Sequence, residues 1–216
     1  MITSHTQLLN ALIEKYGLKS YLEIGVQNPA NNFDKIVVKD KIGVDPEIKE
    51  CSGVSDYMTG ERKSYQLFRK TSDEFFNKQW PETLPSFDLI FIDGLHHADQ
   101  VKRDFENSLR CLSDNGFIVI HDVLPENEAG TKVPRETKQW WGDVYKWAMG
   151  VCEYSGIGYK TFDIDNGCML VWKDKVVFGM SKMKQIKPEI KDYQYDWNFY
   201  NSQGRELMNV TSTVEI

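Results

Sequence analysis

The stretch FDLIFIDGLHHADQ, residues 87–100, places a run of apolar residues directly in front of an aspartate, a glycine and two histidines. Such a run is typical of a strand that is buried on both faces of a parallel sheet, and Asp93 marks its carboxyl end. The stretch FIVIHD, residues 117–122, repeats the pattern and ends in Asp122. Because apolar residues recur about every four positions between the two, the sequence predicts a strand, an amphipathic helix and a second strand.

Strand and helix patterns also alternate before this central unit. Leucines at helical spacing predict a helix over about residues 5–16 that ends near Gly17. Two buried strands follow, SYLEIGV (20–26) and KIGVD (41–45), and the segment between them, which includes FDKIVV, is long enough for a crossover helix. This pattern predicts a second parallel β-α-β unit.

Shorter patterns connect these units. YQLFRKT (65–71) predicts a weaker strand, and SDEFFNKQ after it predicts a helix that is capped by Ser72 or Asp73. The turn SDNG (113–116) closes the central helix.

The C-terminal part of the chain predicts a long loop and a hairpin. The polar stretch 125–143 is a loop of a length that is uncommon unless it covers a site. Residues 159–173 predict an antiparallel hairpin that turns near Asp165 to Gly167. The fold class is therefore α/β, a doubly wound and mostly parallel sheet with an antiparallel C-terminal hairpin. We expect one domain over residues 1–180 and a C-terminal extension over 181–216.

Composition argues against several classes of protein. The 216 residues are 41% apolar and 27% charged, which is ordinary for one soluble globular domain. The net charge of -6 argues against binding to nucleic acid or to an anionic membrane surface. With neither a signal peptide nor a membrane-spanning run, a cytoplasmic location is expected. Four scattered cysteines without a C-x-x-C pair argue against a zinc knuckle and a disulfide scaffold: Cys51, Cys111, Cys152 and Cys168.

Acidic residues stand where the predicted strands end. Glu23 and Gly25 close the first strand, Asp45 the second, and Asp93 and Asp122 the two central ones. In an open parallel sheet the ligand lies beyond these carboxyl ends. If the two central strands are neighbours, about 4.8 Å apart, Asp93 and Asp122 face each other and repel unless a cation or a proton lies between them.

Histidines strengthen the prediction of a functional site at this edge. The chain has four histidines, and three of them, His96, His97 and His121, lie within four residues of Asp93 or Asp122. A single histidine on a strand is more often structural, whereas three that converge on one predicted edge favour function.

The first strand does not carry a dinucleotide fingerprint. The stretch EIGVQNPANN lacks G-x-G-x-x-G, which argues against an NAD-dependent dehydrogenase. Asp45 follows the first glycine by about twenty residues, where a carboxylate can accept hydrogen bonds from two ribose hydroxyls. A cofactor that carries a nucleoside is therefore expected. In the alternative interpretation, Asp45 is only a turn residue before Pro46.

Six ordered segments resemble class I S-adenosylmethionine (SAM)-dependent methyltransferases. They are similar to the bacterial branch that includes catechol-type and macrolide-sugar O-methyltransferases, over about residues 15–175. The resemblance implies a Rossmann-like, seven-stranded sheet with SAM as cofactor. The segments are YLEIG, GVDP, TSDEFF, FDLIFIDGLHHADQVKRDFENSLRCLSDNGFIVIHDVLP, WWGDVYKW and FDIDNGCMLVW.

The resemblance also implies roles for individual residues. Glu23 and Gly25 border the methionine end of SAM, Asp45 holds the ribose hydroxyls, and Ser72 and Asp73 lie at the adenine. Asp93 is a further candidate for cofactor binding. Asp93 and Asp122 hold a magnesium ion, and His96 deprotonates the acceptor hydroxyl, with His97 as a second catalytic candidate.

Two positions depart from the family pattern. The loop after the first strand reads QNPANN and lacks a further glycine. Val123 follows Asp122 where the catechol-type members have asparagine, so His121 or a residue of the 125–143 loop has to supply the third metal ligand. Oxygen ligands alone favour Mg²⁺, whereas direct ligation by His121 shifts the preference towards Mn²⁺ or another transition metal.

The expected function is SAM-dependent O-methylation of a small hydroxylated acceptor such as a sugar or glycan component. WWGDVYKW (140–147) either stacks against a sugar face or places its tryptophans in the core. One alternative is a metal-independent enzyme in which His96 or His97 is the sole base. Another is a noncatalytic module that binds SAM or a partner. The aromatic-rich C-terminal extension either folds back on the domain or contacts a partner, and a homo-oligomer is left open.

Overall fold

The computed structural model describes residues 1–49, 64–77, 85–174 and 195–216. Eight strands form one sheet in the order β3-β2-β1-β4-β5-β7-β6-β8. The first five in that order pair in parallel, and β7 is antiparallel to β5 and β6. The predicted seven-stranded, doubly wound sheet is confirmed, and the two-residue β8 extends it. The strands are β1 Ser20–Ile24, β2 Asp40–Val44, β3 Ser64–Phe68, β4 Phe87–Ile92, β5 Leu112–His121, β6 Ile157–Phe162, β7 Cys168–Lys173 and β8 Val210–Thr211.

The register of the central strands positions the site. Ile24 of β1 pairs with Ile92 of β4, and Ile92 pairs with Ile120 of β5. The residues that follow these partners therefore lie side by side at one edge of the sheet. β2 ends at the same level, because Val44 pairs with Ile24.

Apolar side chains cover both faces of the sheet. Ile90 and Ile92 pack with Phe105 on one face, while Leu89 and Phe91 pack on the opposite face. This alternation follows from the two-residue period of a strand. Helix α3 (Ala98–Cys111) and helix α4 (Val144–Gly150) lie on the first face, and helix α1 (His5–Tyr16) lies on the second.

Helix α1 has the predicted bounds. The Ser4 side chain accepts a hydrogen bond from the Gln7 N–H at the start of the helix, and Gly17 is left-handed at its end, with φ +65°. Such a cap and such a glycine terminate helices because they satisfy free backbone groups without strain.

The predicted crossover helix between β1 and β2 is wrong. Only one 3₁₀ turn forms there, Phe33–Lys35. The buried Lys41 ammonium donates to the carbonyl oxygens of Phe33 at 2.6 Å and Ile36 at 3.2 Å. These carbonyls would otherwise continue the helical hydrogen-bond ladder, so the turn stops after three residues.

Two local predictions also need correction. Helix α2 (Ser72–Phe75) is capped by Thr71, which forms a reciprocal capping box with Glu74, and not by Ser72 or Asp73. The SDNG segment, 113–116, lies inside β5 rather than in a turn, next to a register shift between β4 and β5. An apolar pattern alone does not locate such a shift.

The predicted hairpin of β6 and β7 is confirmed. Its turn contains three consecutive residues with positive φ: Asp165, Asn166 and Gly167. Beyond the hairpin, Tyr195, Tyr200 and Met208 belong to the hydrophobic core, so this part of the C-terminal extension folds back on the domain. The boundary at residue 180 lies outside the described ranges and stays a prediction.

Two expectations from composition concern single features. Cys111, Cys152 and Cys168 carry free thiols, and Cys51 lies outside the described residues. Among the residues that the structure describes, no helix is long and apolar enough to cross a membrane.

Candidate active site

The ends of β1 and β4 approach each other at a glycine. Gly25 has φ +97°, and a Cβ at this position would lie 2.0 Å from the carbonyl oxygen of Asp93. The Asp93 N–H donates to the Ile24 carbonyl at 2.9 Å. Only glycine can adopt this conformation and allow this close approach. Gly25 therefore sets the position of the Asp93 backbone next to β1.

His96 lies between the two predicted carboxylates. Its Nε2 is 3.4 Å from Oδ1 of Asp93, and its Nδ1 is 3.4 Å from Oδ2 of Asp122. One ligand atom from each of the three residues falls within 4.8 Å of the others. The sheet edge therefore brings Asp93, Asp122 and His96 together.

Asp122 is buried and strained. Its backbone is left-handed, with φ +59°, and the residue is 6% exposed. A non-glycine residue in this region costs energy that the surrounding structure has to supply, and such residues cluster at functional sites. Neither Oδ1 of Asp122 nor Nδ1 of His96 has a hydrogen-bond partner among the described residues. Two buried polar atoms are thus left for a ligand.

His121 joins this cluster from the end of β5. Its Nδ1 lies 3.2 Å from Oδ1 of Asp93 and 3.5 Å from Oδ1 of Asp122. Its Nε2 lies 2.7 Å from the backbone carbonyl oxygen of Asp165. One imidazole edge therefore faces two carboxylates, and the other edge faces the hairpin turn.

The carboxylates and histidines of this cluster shift one another's pKa values. Burial opposes the charged form of His121, but Asp93 and Asp122 outweigh it and raise the pKa of His121 to about 10. Burial also opposes the charge on His96, and the same two carboxylates raise its pKa above the ordinary value. Burial favours neutral Asp93, yet the two histidines hold its pKa well below the usual range. Burial and the charge of Asp93 raise the pKa of Asp122.

A second cluster adjoins His121 on its hairpin side. The His5 N–H donates to Oδ2 of Asp165 at 2.9 Å, and Nδ1 of His5 lies 2.6 Å from the same oxygen. The rings of His5 and His121 meet edge to face with centroids 4.7 Å apart. Sequence reasoning missed His5 and Asp165 as site residues, because neither follows a parallel strand.

Glu23 and Asp45 lie at the ends of β1 and β2. Glu23 is 2% exposed and accepts hydrogen bonds from the Tyr21 hydroxyl at 2.6 Å and the Asn32 amide at 2.9 Å. Burial is the main cause that raises its pKa to about 8. Asp45 accepts the backbone N–H of Gln27 at 3.0 Å, so it ties the loop after β1 to β2.

Ser72 and Asp73 contact helix α3. Nε2 of Gln100 lies 3.1 Å from Oγ of Ser72 and 3.3 Å from Oδ1 of Asp73. The same amide donates to Asp104, whose pKa burial raises to about 6. These two predicted cofactor residues therefore share one polar network.

The end of the 125–143 loop packs on His96. The Trp140 ring lies nearly parallel to the imidazole, at 5.2 Å between centroids and 21° between planes. The Asp143 carboxylate accepts the Ala98 N–H at 2.7 Å, so it caps helix α3. His97 is the residue that precedes this helix and makes no side-chain cap of its own.

The tryptophans of the WWGDVYKW segment divide between two roles. Trp141 and Trp147 are 1% and 3% exposed and belong to the interior. Trp140 is half-buried beside His96. The sequence left two alternatives for this segment, stacking against a ligand or packing in the core. In the structure Trp141 and Trp147 pack in the core, and Trp140 stacks on His96.

Comparison with known proteins gives one family match. Residues 22–123 match the model of a family described as "Methyltransferase domain". This range runs from β1 to the residue after Asp122, so it contains Asp93, Asp122, His96, His97 and His121.

Solved structures share the fold. The O-methyltransferase TomG from Streptomyces achromogenes, solved with SAM, is 12% identical, with 78% of each chain covered and a TM-score of 0.59. The O-methyltransferase from Bacillus cereus, solved with SAH, is 14% identical, with 80% of this chain and 82% of that chain covered and a TM-score of 0.56. The methyltransferase PaMTH1 from Podospora anserina, also SAH-bound, is 18% identical, with 80% of each chain covered and a TM-score of 0.53. Residues 22–123 are therefore similar to a methyltransferase domain, and the chain shares the predicted fold of class I, SAM-dependent methyltransferases.

Proposed function

We propose that the protein transfers a methyl group from SAM to a hydroxyl of a small acceptor, assisted by a divalent cation. The observation that carries this proposal is the cluster of Asp93, His96 and Asp122 at the carboxyl edge of a methyltransferase sheet. A base and two carboxylates at that edge suit proton removal from an alcohol better than they suit redox chemistry.

The residues at the ends of β1 and β2 support a SAM site. Each oxygen of the Asp45 carboxylate accepts one backbone N–H, from Gln27 and Glu47, and each keeps a lone pair for a ribose hydroxyl. Glu23 offers a buried carboxyl that a cationic methionine end would ionise. We place Ser72 and Asp73 at the adenine because they follow β3 at the same edge.

The donor set fits a divalent cation. Asp93, Asp122 and His121 would hold it, and the unpartnered Oδ1 of buried Asp122 is the atom that calls for a cation most directly. A cation bound there would stabilise the negative oxygen that forms when the acceptor hydroxyl loses its proton.

We assign His96 as the base. Its Nδ1 has no hydrogen-bond partner among the described residues, so it accepts the hydroxyl proton. Asp122, 3.4 Å from Nδ1, then stabilises the imidazolium, while Nε2–H faces Asp93. The rest of the catalysis is alignment of the acceptor oxygen with the sulfur-methyl bond.

The loop that reaches His96 supports a hydroxylated acceptor. The exposed loop residues Glu126, Lys132 and Arg135 lie on the segment that ends at Trp140, and they suit a hydroxylated ligand. The choice of a sugar or glycan component rests on family analogy.

Two measurements test the proposal. Calorimetry with SAM and with its demethylated product should show binding. If neither compound binds, the alternative of a noncatalytic module is favoured. Transfer of labelled methyl from SAM to catechol and to free monosaccharides should then fall on addition of EDTA and in Asp122→Asn. Activity that survives both treatments selects the metal-independent alternative, and His96→Gln against His97→Gln then identifies the base.

A further inference from the structure

The position after Asp122 cannot supply a metal ligand. Val123 is fully buried in the core, and its side chain carries no donor atom. A cation between Asp93 and Asp122 would therefore take its third protein ligand from another position. Among the described residues, the nearest imidazole nitrogen that faces both carboxylates is Nδ1 of His121, at 3.2 Å and 3.5 Å.

The hydrogen bond on the opposite edge of His121 decides which ring nitrogen is free to ligate. A backbone carbonyl only accepts, so Nε2 of His121 carries the hydrogen that it shares with the Asp165 carbonyl at 2.7 Å. In the neutral ring the lone pair then lies on Nδ1. Histidines that ligate metals almost always donate their other N–H to a carbonyl or carboxylate in this way.

The carbonyl of Asp165 is itself held in place. It belongs to a turn of three positive-φ residues that ends at Gly167. The Leu124 N–H donates to the Asn166 carbonyl at 2.9 Å, which ties the turn to the end of β5. Since Leu124 lies three residues after His121, this hydrogen bond fixes the Asp165 carbonyl relative to the His121 ring.

His5 closes the opposite side of the ring. Its imidazole stacks on Phe91, with centroids 5.2 Å apart, and meets the His121 ring edge to face. Its backbone and side chain both bond to the Asp165 carboxylate. Helix α1 and the hairpin turn thus clamp His121, which leaves Nδ1 directed at Asp93 and Asp122.

We propose that Nδ1 of His121, oriented by Asp165 and His5, ligates the cation together with Asp93 and Asp122, and that the site therefore selects a first-row transition ion over Mg²⁺. This inference depends on one part of the proposed function, the binding of a divalent cation between Asp93 and Asp122. Mg²⁺ takes oxygen ligands and keeps several waters, whereas imidazole suits the later first-row ions such as Fe²⁺, Ni²⁺ and Zn²⁺, and affinity for a nitrogen-containing site rises from Mn²⁺ through Co²⁺. His121 and Asp165 act as ligand and positioning residue.

Metal binding to the full, metal-depleted chain tests this inference without any acceptor. Calorimetric titration with Co²⁺, Mn²⁺ and Mg²⁺ should give the transition ions at least tenfold tighter binding, and bound Co²⁺ should develop a visible absorption band. His121→Asn replaces the nitrogen with an amide and should reduce the preference for Co²⁺ over Mg²⁺ by roughly 10- to 100-fold. His96→Asn, on the other side of the carboxylates, should keep that preference.

A second pair of variants covers the case in which His121→Asn does not fold. Asp165→Asn keeps a residue that tolerates the left-handed turn but weakens the link to His5, and it should weaken Co²⁺ binding about tenfold. Asp163→Asn removes a carboxylate from the same hairpin that pairs with Arg205, and Co²⁺ binding should not change.

Three results would overturn the inference: no binding of a transition ion, Mg²⁺ binding as tight as that of Co²⁺, or an unchanged ion preference in His121→Asn. Failure of the proposed function is distinguishable, because it appears as absent SAM binding or absent methyl transfer while Co²⁺ still binds.

Discussion

Gly142 lies directly against the backbone of His96: a Cβ at Gly142 would be 1.8 Å from the His96 carbonyl oxygen. Gly142 also has φ +62°, and the neighbouring Asp143 N–H donates to that same oxygen at 3.1 Å. The long loop therefore ends in close contact with His96, the residue that we assign as the base. Three of its last four residues act at His96 or beside it: Trp140 through its ring, Gly142 through its backbone, and Asp143 through its N–H to His96 and its carboxylate cap on Ala98.

Gly142→Ala should destabilise the fold and displace His96. An alanine here suffers both the left-handed backbone and the overlap with the His96 carbonyl, so we expect a loss of about 3 kcal/mol or more in the free energy of unfolding. Gly17→Ala is the matched control, because Gly17 has φ +65° with nothing within 4 Å of its Cβ position. It should cost only about 1 kcal/mol. Equal losses in urea unfolding would contradict the role of the close approach.

Trp140 should matter for turnover rather than for SAM binding. Its ring lies against the His96 imidazole, and a small displacement of a catalytic group lowers the rate more than it lowers affinity. Trp140→Leu should reduce kcat roughly tenfold, while Trp140→Phe, which keeps an aromatic face, should retain most of it. SAM affinity by calorimetry should not change in either variant. If leucine and phenylalanine behave alike, stacking does not position His96.

Asp45→Asn tests the ribose site. The amide keeps one acceptor oxygen but loses the charge that strengthens bonds from two hydroxyls, so SAM should bind about tenfold to a hundredfold more weakly. Asp40→Asn at the opposite end of β2 is exposed and makes the same chemical change away from the edge. Its SAM affinity should match that of the unmodified protein. A normal SAM affinity in Asp45→Asn would move the nucleoside elsewhere.

The sheet and its acidic edge could be predicted because they depend on local pattern and on one geometric rule. Apolar runs that end in Asp93 and Asp122 identify buried strands, and neighbouring parallel strands end at the same edge. The register of Ile92 with Ile120 could not be predicted in the same way, because β4 and β5 shift register between Phe87 and Leu89.

The partners of His121 could not be predicted in this way. His5 and Asp165 are 160 positions apart, and their contact depends on how helix α1 docks over the hairpin turn. Trp140 reaches His96 from a loop, and a loop has no repeating residue pattern from which its path could be predicted. The failed crossover helix has the same cause, because the buried Lys41 takes carbonyls that the local sequence leaves to a helix.

Glu23 predicts a pH dependence of stability. Burial, together with the charge of Asp93, raises its pKa from 4.5 to about 8 in the folded protein. The folded state thus binds this proton more tightly than the unfolded chain does. Stability from this group is complete below pH 4.5 and is lost as the pH rises towards 8, by several kcal/mol at about 1.4 kcal/mol for each pKa unit.

Glu23→Gln isolates this effect because glutamine is neutral and can still accept from the Tyr21 hydroxyl and the Asn32 amide. We expect the free energy of unfolding, measured in urea at pH 5.5 and 8.5, to fall with pH more steeply in the unmodified protein than in the variant. Glu14→Gln, an exposed glutamate on helix α1, should leave the slope of the unmodified protein intact. Parallel curves for Glu23→Gln and the unmodified protein would show that Glu23 is already ionised near neutral pH. The buried carboxyl would then be charged before SAM arrives, and its negative charge would attract the cationic methionine end from the start.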